Sequence, residues 1–168
     1  MWTKEQIGYL AGIIDGEGSI YVQKQIKKTG FHAYNLRFQV MNTSKELIAW
    51  LQETFGGVIY ERKSKNPKWK DRYEWWLYHK KFDEIAPHIL PFLIIKKKQL
   101  EIAIEFRKTF FHNTPRVSEE VKCFRDDCIL QISLLNKKGP QLPSALLPFH
   151  TYDKGFQVNK SGFIAGQH

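Results

Sequence analysis

Cysteine is scarce in this chain: two residues, Cys123 and Cys128, in 168. They stand five positions apart without CxxC spacing or a nearby histidine pair, which excludes a disulfide scaffold and speaks against a zinc module. Idle thiols in a reducing compartment are the expectation. The six histidines are scattered, and none forms an HxxxH or His-Asn-His pattern. No Ser–His or Cys–His pairing suggests a covalent hydrolytic route. Long apolar runs are missing too; none approaches the ~20 residues needed to cross a bilayer. The start Met1-Trp2-Thr3-Lys4-Glu5 passes at once into an amphipathic pattern without signal-peptide organisation. Linkers and low-complexity tracts are also lacking. The expectation is one intracellular domain over residues 1–168, in a prokaryotic cytoplasm or an organelle. Its core spans about 3–110, and a C-terminal helix and irregular tail occupy 118–168.

What the chain has in excess is positive charge: 26 Lys and Arg against 17 Asp and Glu, a net +9 at pH 7. Such a balance favours a polyanionic partner, nucleic acid or acidic lipid. Its distribution is more telling than its size. Arg62, Lys63, Lys65, Lys68, Lys70 and Arg72 crowd around one turn, and Lys24, Lys27 and Lys28 lie near another.

The hydrophobic periodicity orders the elements. Thr3-Lys4-Glu5-Gln6 reads as a capping box, followed by Ile7, Leu10, Ala11 and Ile14 at helical spacing, with the helix ending near Asp15-Gly16. Residues 19–27 and 33–41 alternate around a turn at Thr29-Gly30, with Ile20, Val22, Ile26, Leu36, Phe38 and Val40 on one side. Thr43-Ser44-Lys45-Glu46 reads as a second capping box, opening a helix with Leu47, Trp50, Leu51 and Phe55 inward. Gly56-Gly57 stops it. A second hairpin follows, over about 58–63 and 72–78. Then comes a short helix carrying Phe82, Ile85, Ala86 and Ile89, another over about 96–108, and a last one from Ser118 with Val121, Phe124, Cys128 and Leu135 inward. Residues 136–168, rich in proline, are irregular.

Chemistry concentrates where the first helix ends, in Leu10-Ala11-Gly12-Ile13-Ile14-Asp15-Gly16-Glu17-Gly18. Three glycines and two acids at these fixed places arise by chance about once in a thousand chains of this length. Gly8 and Gly12 lie one turn apart, beside Ala11, so two helix backbones could approach closely there, most usefully in a pair of identical helices. Gly16 and Gly18 are expected to permit the sharp exit into a strand by freeing φ. Asp15 and Glu17 sit against the negative end of a helix dipole and require a cation or hydrogen bonds. For Asp15, a cap on a neighbouring backbone N–H and a role at a metal are both open.

This segment resembles the signature of the LAGLIDADG homing endonucleases, and the order helix–hairpin–helix–hairpin–helix over 3–110 is similar to that family's αββαββα core. The resemblance implies an α+β fold with antiparallel DNA-binding hairpins and additional C-terminal helices. Only one motif copy is present, so the chain looks like the single-motif branch, which works as a homodimer with Gly8, Ala11, Gly12 and Asp15 at the interface. It further implies a Mg²⁺-dependent endonuclease, with Mn²⁺ or Ca²⁺ able to occupy the site, that hydrolyses both strands of a long pseudo-palindromic DNA. Metal would be held by the Glu17 carboxylate and the Gly16 carbonyl. Phe38-Gln39-Val40-Met41-Asn42 matches a family run ending in a water-orienting amide, here Asn42. Pro91-Phe92-Leu93-Ile94-Ile95-Lys96 matches a run ending in an active-site lysine, here Lys96, with Lys97 and Lys98 beside it. Two departures from the family pattern are Lys45 and Glu46 where some relatives have arginine, and Glu17 where aspartate is commoner. An RNA-binding maturase acting on intron RNA is the alternative on the same fold.

Specificity is then expected from the hairpins, because a two-stranded ribbon fits the major groove. Tyr21, Gln23, Gln25, Lys27, Asn35, Arg37 and Gln39 would face DNA from the first, and Tyr60, Arg62, Ser64, Tyr73 and Trp75 from the second. At least one of Trp75 and Trp76 should nevertheless be core. Lys28, Lys63, Lys65, Lys68 and Lys70 would meet phosphates.

Overall fold

The computed structural model describes residues 1–26, 28, 32–110 and 117–137. The elements run α1 (Lys4–Glu17), β1 (Gly18–Ile26), β2 (His32–Asn42), α2 (Lys45–Phe55), β3 (Val58–Arg62), β4 (Arg72–Leu77), α3 (His79–Ile89), a 3-10 turn (Leu90–Phe92), α4 (Lys97–Lys108) and α5 (Glu119–Asn136). The four strands form one antiparallel sheet in the order β1-β2-β4-β3. The Thr29-Gly30 turn, Lys27 and the tail after Lys137 lie outside the described residues.

Helix α1 begins with the expected capping box: the Thr3 hydroxyl accepts from the Gln6 N–H at 3.2 Å, and the Gln6 amide accepts from the Thr3 N–H at 3.0 Å. Its start is anchored by Trp2, whose indole N–H donates to the Thr54 carbonyl at 2.8 Å. Helix α2 is capped one residue later than expected. Ser44, not Thr43, accepts from the Leu47 N–H, because the Asn42 side chain accepts from the Ser44 N–H at 2.9 Å and turns the chain before the helix begins. Glu46 is thus outside any capping box and lies exposed.

The helices pack on one face of the sheet. Leu10, Ile14, Ile20, Phe38, Val40, Leu51, Phe55, Trp75, Phe82 and Phe106 are essentially sealed from solvent. The register explains which strand residues join them: Ile20, Phe38 and Leu77 lie opposite one another, as do Val40, Trp75 and Ile59. Ile26 belongs to this alternation but sits where β1 outruns the helices, and it is exposed. Helix α5 covers the free edge at β1. There Asp126 accepts from Lys24 at 2.6 Å and from the Tyr34 hydroxyl at 3.0 Å. Its buried side includes Arg125, which donates to the Thr109 hydroxyl and carbonyl and stacks on Phe110. Burial pushes the Cys128 thiol up to about 12, so it stays protonated. Among the described residues no helix is long and apolar enough to cross a membrane.

Candidate active site and nucleic-acid interface

Helix α1 has two sides. Ile7, Leu10, Ala11 and Ile14 face the core, while Gly8, Gly12 and Gly16, four apart, form an open stripe. A methyl group added to any of these three glycines would meet nothing within 4 Å. The expected assignment of Ala11 to a contact between copies is corrected here. At 1% exposure its methyl packs inside the chain, because it continues the Ile7–Leu10–Ile14 stripe.

Helix and strand join without a linker: Glu17 ends α1 and Gly18 begins β1. Gly18 has φ −76°, an ordinary extended value. The expected need for φ freedom therefore does not hold; space is the constraint. A Cβ at Gly18 would lie 2.5 Å from the Ile14 carbonyl oxygen and 2.7 Å from its Cα. The chain can fold back over its own last turn only without a side chain there.

The two acids of the segment part company. Asp15 is committed inside the chain: its carboxylate accepts from the Ile94 N–H at 2.7 Å and the Lys96 N–H at 2.8 Å. Partial burial works against its charge, but these N–H donors, with that of Ile95 and the Lys96 ammonium, hold the carboxyl below its ordinary value. Lys96 in turn donates from Nζ to the Asp15 carbonyl at 2.5 Å, placing a cation at the negative end of α1. The hydrogen-bonding reading of Asp15 is what the structure displays. Glu17 is exposed and has no partner among the described residues.

Asn42 closes β2, an interior strand, two residues beyond the Val40–Gly18 pair, at the end of the sheet where α1 enters. Its Oδ1 is taken by the Ser44 N–H, leaving the amide nitrogen without a partner among the described residues. The chain thus gathers Lys96 to the last turn of α1, and sets Asn42 at the same end of the sheet. No group of three or more His, Cys, Asp or Glu side chains that could hold a metal forms among the described residues.

The outer face of the sheet carries the other candidates. Tyr21 lies opposite Arg37 and Gln23 opposite Asn35; Gln25 follows on the same side. Ser19, Gln39, Trp76 and Val58 form one row across all four strands, and Met41, Glu74 and Tyr60 the next. Two expected members are on the wrong side. Trp75 is fully buried, with its indole N–H donating to the Gly56 carbonyl at 2.7 Å. Tyr73, two residues earlier, lies opposite Asn42 and packs against the core. Pairing of Trp75 with Val40 decides this: Val40 faces the helices, so its partner must as well.

Trp76 therefore occupies the outer face, a position the sequence reading did not assign. Arg37 lies over its ring at 4.2 Å from the centroid, and the Tyr60 ring packs against it at 5.0 Å between centroids. Gln39, opposite Trp76 in that row, is buried, which corrects its expected place among the DNA-facing side chains. Arg62 pairs with the buried Glu74 at 3.3 Å. The basic turn is ordered by its own polar groups: Asp71 accepts from the Ser64 N–H, and the Ser64 hydroxyl donates to the Asn66 carbonyl. Ser64 thus shapes the turn. Lys28, Lys63, Lys65, Lys68 and Lys70 are exposed, and the last four surround a surface hollow with Arg62, Trp69 and Arg72.

The family model for LAGLIDADG endonucleases matches residues 10–124, well over half of the chain. The chain belongs to the LAGLIDADG endonuclease family. No curated protein matches it in sequence. The fold of this family member is shared with solved structures. The archaeal intron-encoded homing endonuclease I-Vdi141I, complexed with DNA, superposes with TM-score 0.66 at 19% identity, covering 83% of this chain and 89% of that one. The homing endonuclease I-CvuI, in complex with its target in the presence of Ca, gives 0.63 at 15% identity, over 83% and 87%. The LAGLIDADG homing endonuclease I-LtrWI, bound to target DNA, gives 0.51 at 22% identity, and here 86% of this chain covers 48% of that one.

Proposed function

We propose that this LAGLIDADG endonuclease is one half of a homodimer that uses divalent metal, Mg²⁺ in the first instance, to hydrolyse both strands of a pseudo-palindromic DNA site. The observation that carries the reading is the Glu17 carboxylate, exposed and without a partner among the described residues at the α1–β1 junction, at the end of the open Gly8–Gly12–Gly16 stripe. One chain offers that carboxylate and the Gly16 carbonyl, too few ligands for a closed cage. A second copy meeting the first along the stripe would double the set. Hard oxygen donors, one or two carboxylates with the rest water, suit Mg²⁺. Bound there, divalent ions supply charge stabilisation to the attacking and leaving oxygens of a phosphodiester. The half-length coverage of I-LtrWI supports a two-copy assembly.

The chain's own residues then have distinct tasks. Asp15 and Lys96 lock the loop before α4 onto the end of α1, fixing where Glu17 emerges and leaving an ammonium beside it. The Asn42 amide nitrogen is free to hold a water. Tyr21, Gln23, Gln25, Asn35 and Arg37 face base edges, while Arg62 and the lysines at 28, 63, 65, 68 and 70 contact backbone phosphates.

The test is Glu17→Gln, assayed on DNA selected by binding from a randomised palindromic library. Binding in Ca²⁺ should be unchanged, and cleavage in Mg²⁺ should fall by about 10²–10³-fold at the least. Cutting at the unmodified rate would remove Glu17 from the reaction, and a chain that sediments as a monomer while making double-strand breaks would remove the dimer.

A further inference from the structure

Arg37 is held in place before any DNA arrives. Its guanidinium lies over the Trp76 ring at 4.2 Å, and Tyr78, which also packs on that ring, shares a hydrogen bond of 3.2 Å with the Tyr60 hydroxyl. Burial, and then the neighbouring Tyr60 hydroxyl, push the Tyr78 phenol up to about 12, so it remains a neutral hydroxyl beside the cation. Tyr60 and Tyr78 both pack on Trp76, at 5.0 and 5.8 Å between ring centroids. The Arg37 Nε is buried and finds no acceptor among the described residues. Among the described residues no carboxylate pairs with Arg37, and Glu74, in the next row, is occupied by Arg62.

The consequences follow from the geometry of the group. Stacking uses the faces of a guanidinium and leaves the in-plane N–H bonds of its two terminal nitrogens, unlike the buried Nε, to point outward at the edge. A free arginine loses rotamer freedom when immobilised, a cost already met here by the aromatic cradle. An edge-on, preorganised fork matches the paired O6 and N7 acceptors of guanine in the major groove.

We propose that Arg37 reads a guanine in each half-site and that Trp76 is the positioning residue that holds its fork edge-on. This rests on the outer sheet face being the DNA-facing surface, as proposed above. Binding-site selection from a randomised palindromic library, in Ca²⁺ so that DNA stays intact, tests it. The intact protein should enrich guanine at one symmetry-related pair of positions. Arg37→Gln should abolish that enrichment, reducing discrimination against other bases by roughly tenfold or more, while other positions keep their preferences. Trp76→Leu should weaken the same preference alone, and Trp76→Phe, which restores a ring, should recover most of it. Selected sites without such a guanine, or a guanine that persists in Arg37→Gln, would overturn the assignment while leaving the DNA-facing sheet intact. Loss of preference at every position in Trp76→Leu, with Arg37→Gln unaffected, would overturn the positioning role. Failure of the intact protein to select any sequence would instead strike at the DNA-binding reading itself.

Discussion

At Gly12 a methyl group added to the backbone meets nothing within 4 Å, whereas at Gly18, six residues on in the same signature, it lands 2.5 Å from the Ile14 carbonyl oxygen. One segment therefore contains two kinds of glycine. The stripe at 8, 12 and 16 is glycine although the chain alone has ample room for side chains. Glycine in a helix interior costs about 0.5–1 kcal/mol relative to alanine, so the isolated protomer would be more stable with alanine there. Gly18 is required by the protomer itself. Gly18 answers a requirement internal to the chain; the stripe does not, and the proposed contact between copies would account for it.

That contrast can be broken in several ways. The largest expected effect is at the closed position: Gly18→Ala should lower folding stability by about 2–4 kcal/mol, since the obstruction is backbone and cannot swing aside. Urea unfolding measures it, and a cost below about 0.5 kcal/mol would mean that the chain reroutes the junction freely. Next, Gly12→Leu should leave the fold intact and weaken self-association by about thirtyfold or more, as judged by sedimentation over a concentration series. Undiminished association would place the contact between copies elsewhere.

A smaller effect is expected at Asp15, which lies between the two glycine types. Asp15→Asn keeps one acceptor and loses the charge, and should cost about 1–3 kcal/mol. The sign with pH is defined, because the folded carboxyl sits below its ordinary value. Its contribution is complete above the ordinary carboxylate pKa, about 4, and is lost as pH falls through the lower folded value. The stability difference between the two proteins should be flat at neutral pH and close in strong acid. A gap that widened with acid would show the opposite shift. The smallest effect is Gly12→Ala, which should raise the melting stability of dilute protein by about 0.5–1 kcal/mol.

The parts of the fold that were legible in the sequence are those where local pattern and tertiary demand coincide. Alternation in 19–41 has one polar side and one apolar side, so β1 and β2 declared their faces without help. Residues 72–77 did not, because Tyr73, Trp75 and Trp76 are all aromatic and only pairing with Val40 decides which turn inward. Ala11 was ambiguous for a related reason: alanine suits both a core stripe and a close helix contact. At the candidate site, the motif pointed to Glu17 and a similar run of residues to Lys96, and the structure brings Lys96 to the last turn of α1. The lock between Asp15 and the backbone at 94–96 was not, since it joins residues about eighty positions apart through N–H groups that every residue carries. The α2 cap shifted because the side chain of Asn42 competes for the entrance to the helix, and such rivalry between neighbouring caps leaves no periodic trace.

The direct passage from Glu17 into Gly18 carries a mechanical consequence. With no intervening residue, helix and strand behave as the two arms of one crank. On the proposed reading, in which β1 meets the groove and Glu17 the metal, a tilt of the strand against a poorly fitting groove would be passed straight to the carboxylate. Recognition and reaction would then be coupled through one continuous piece of chain.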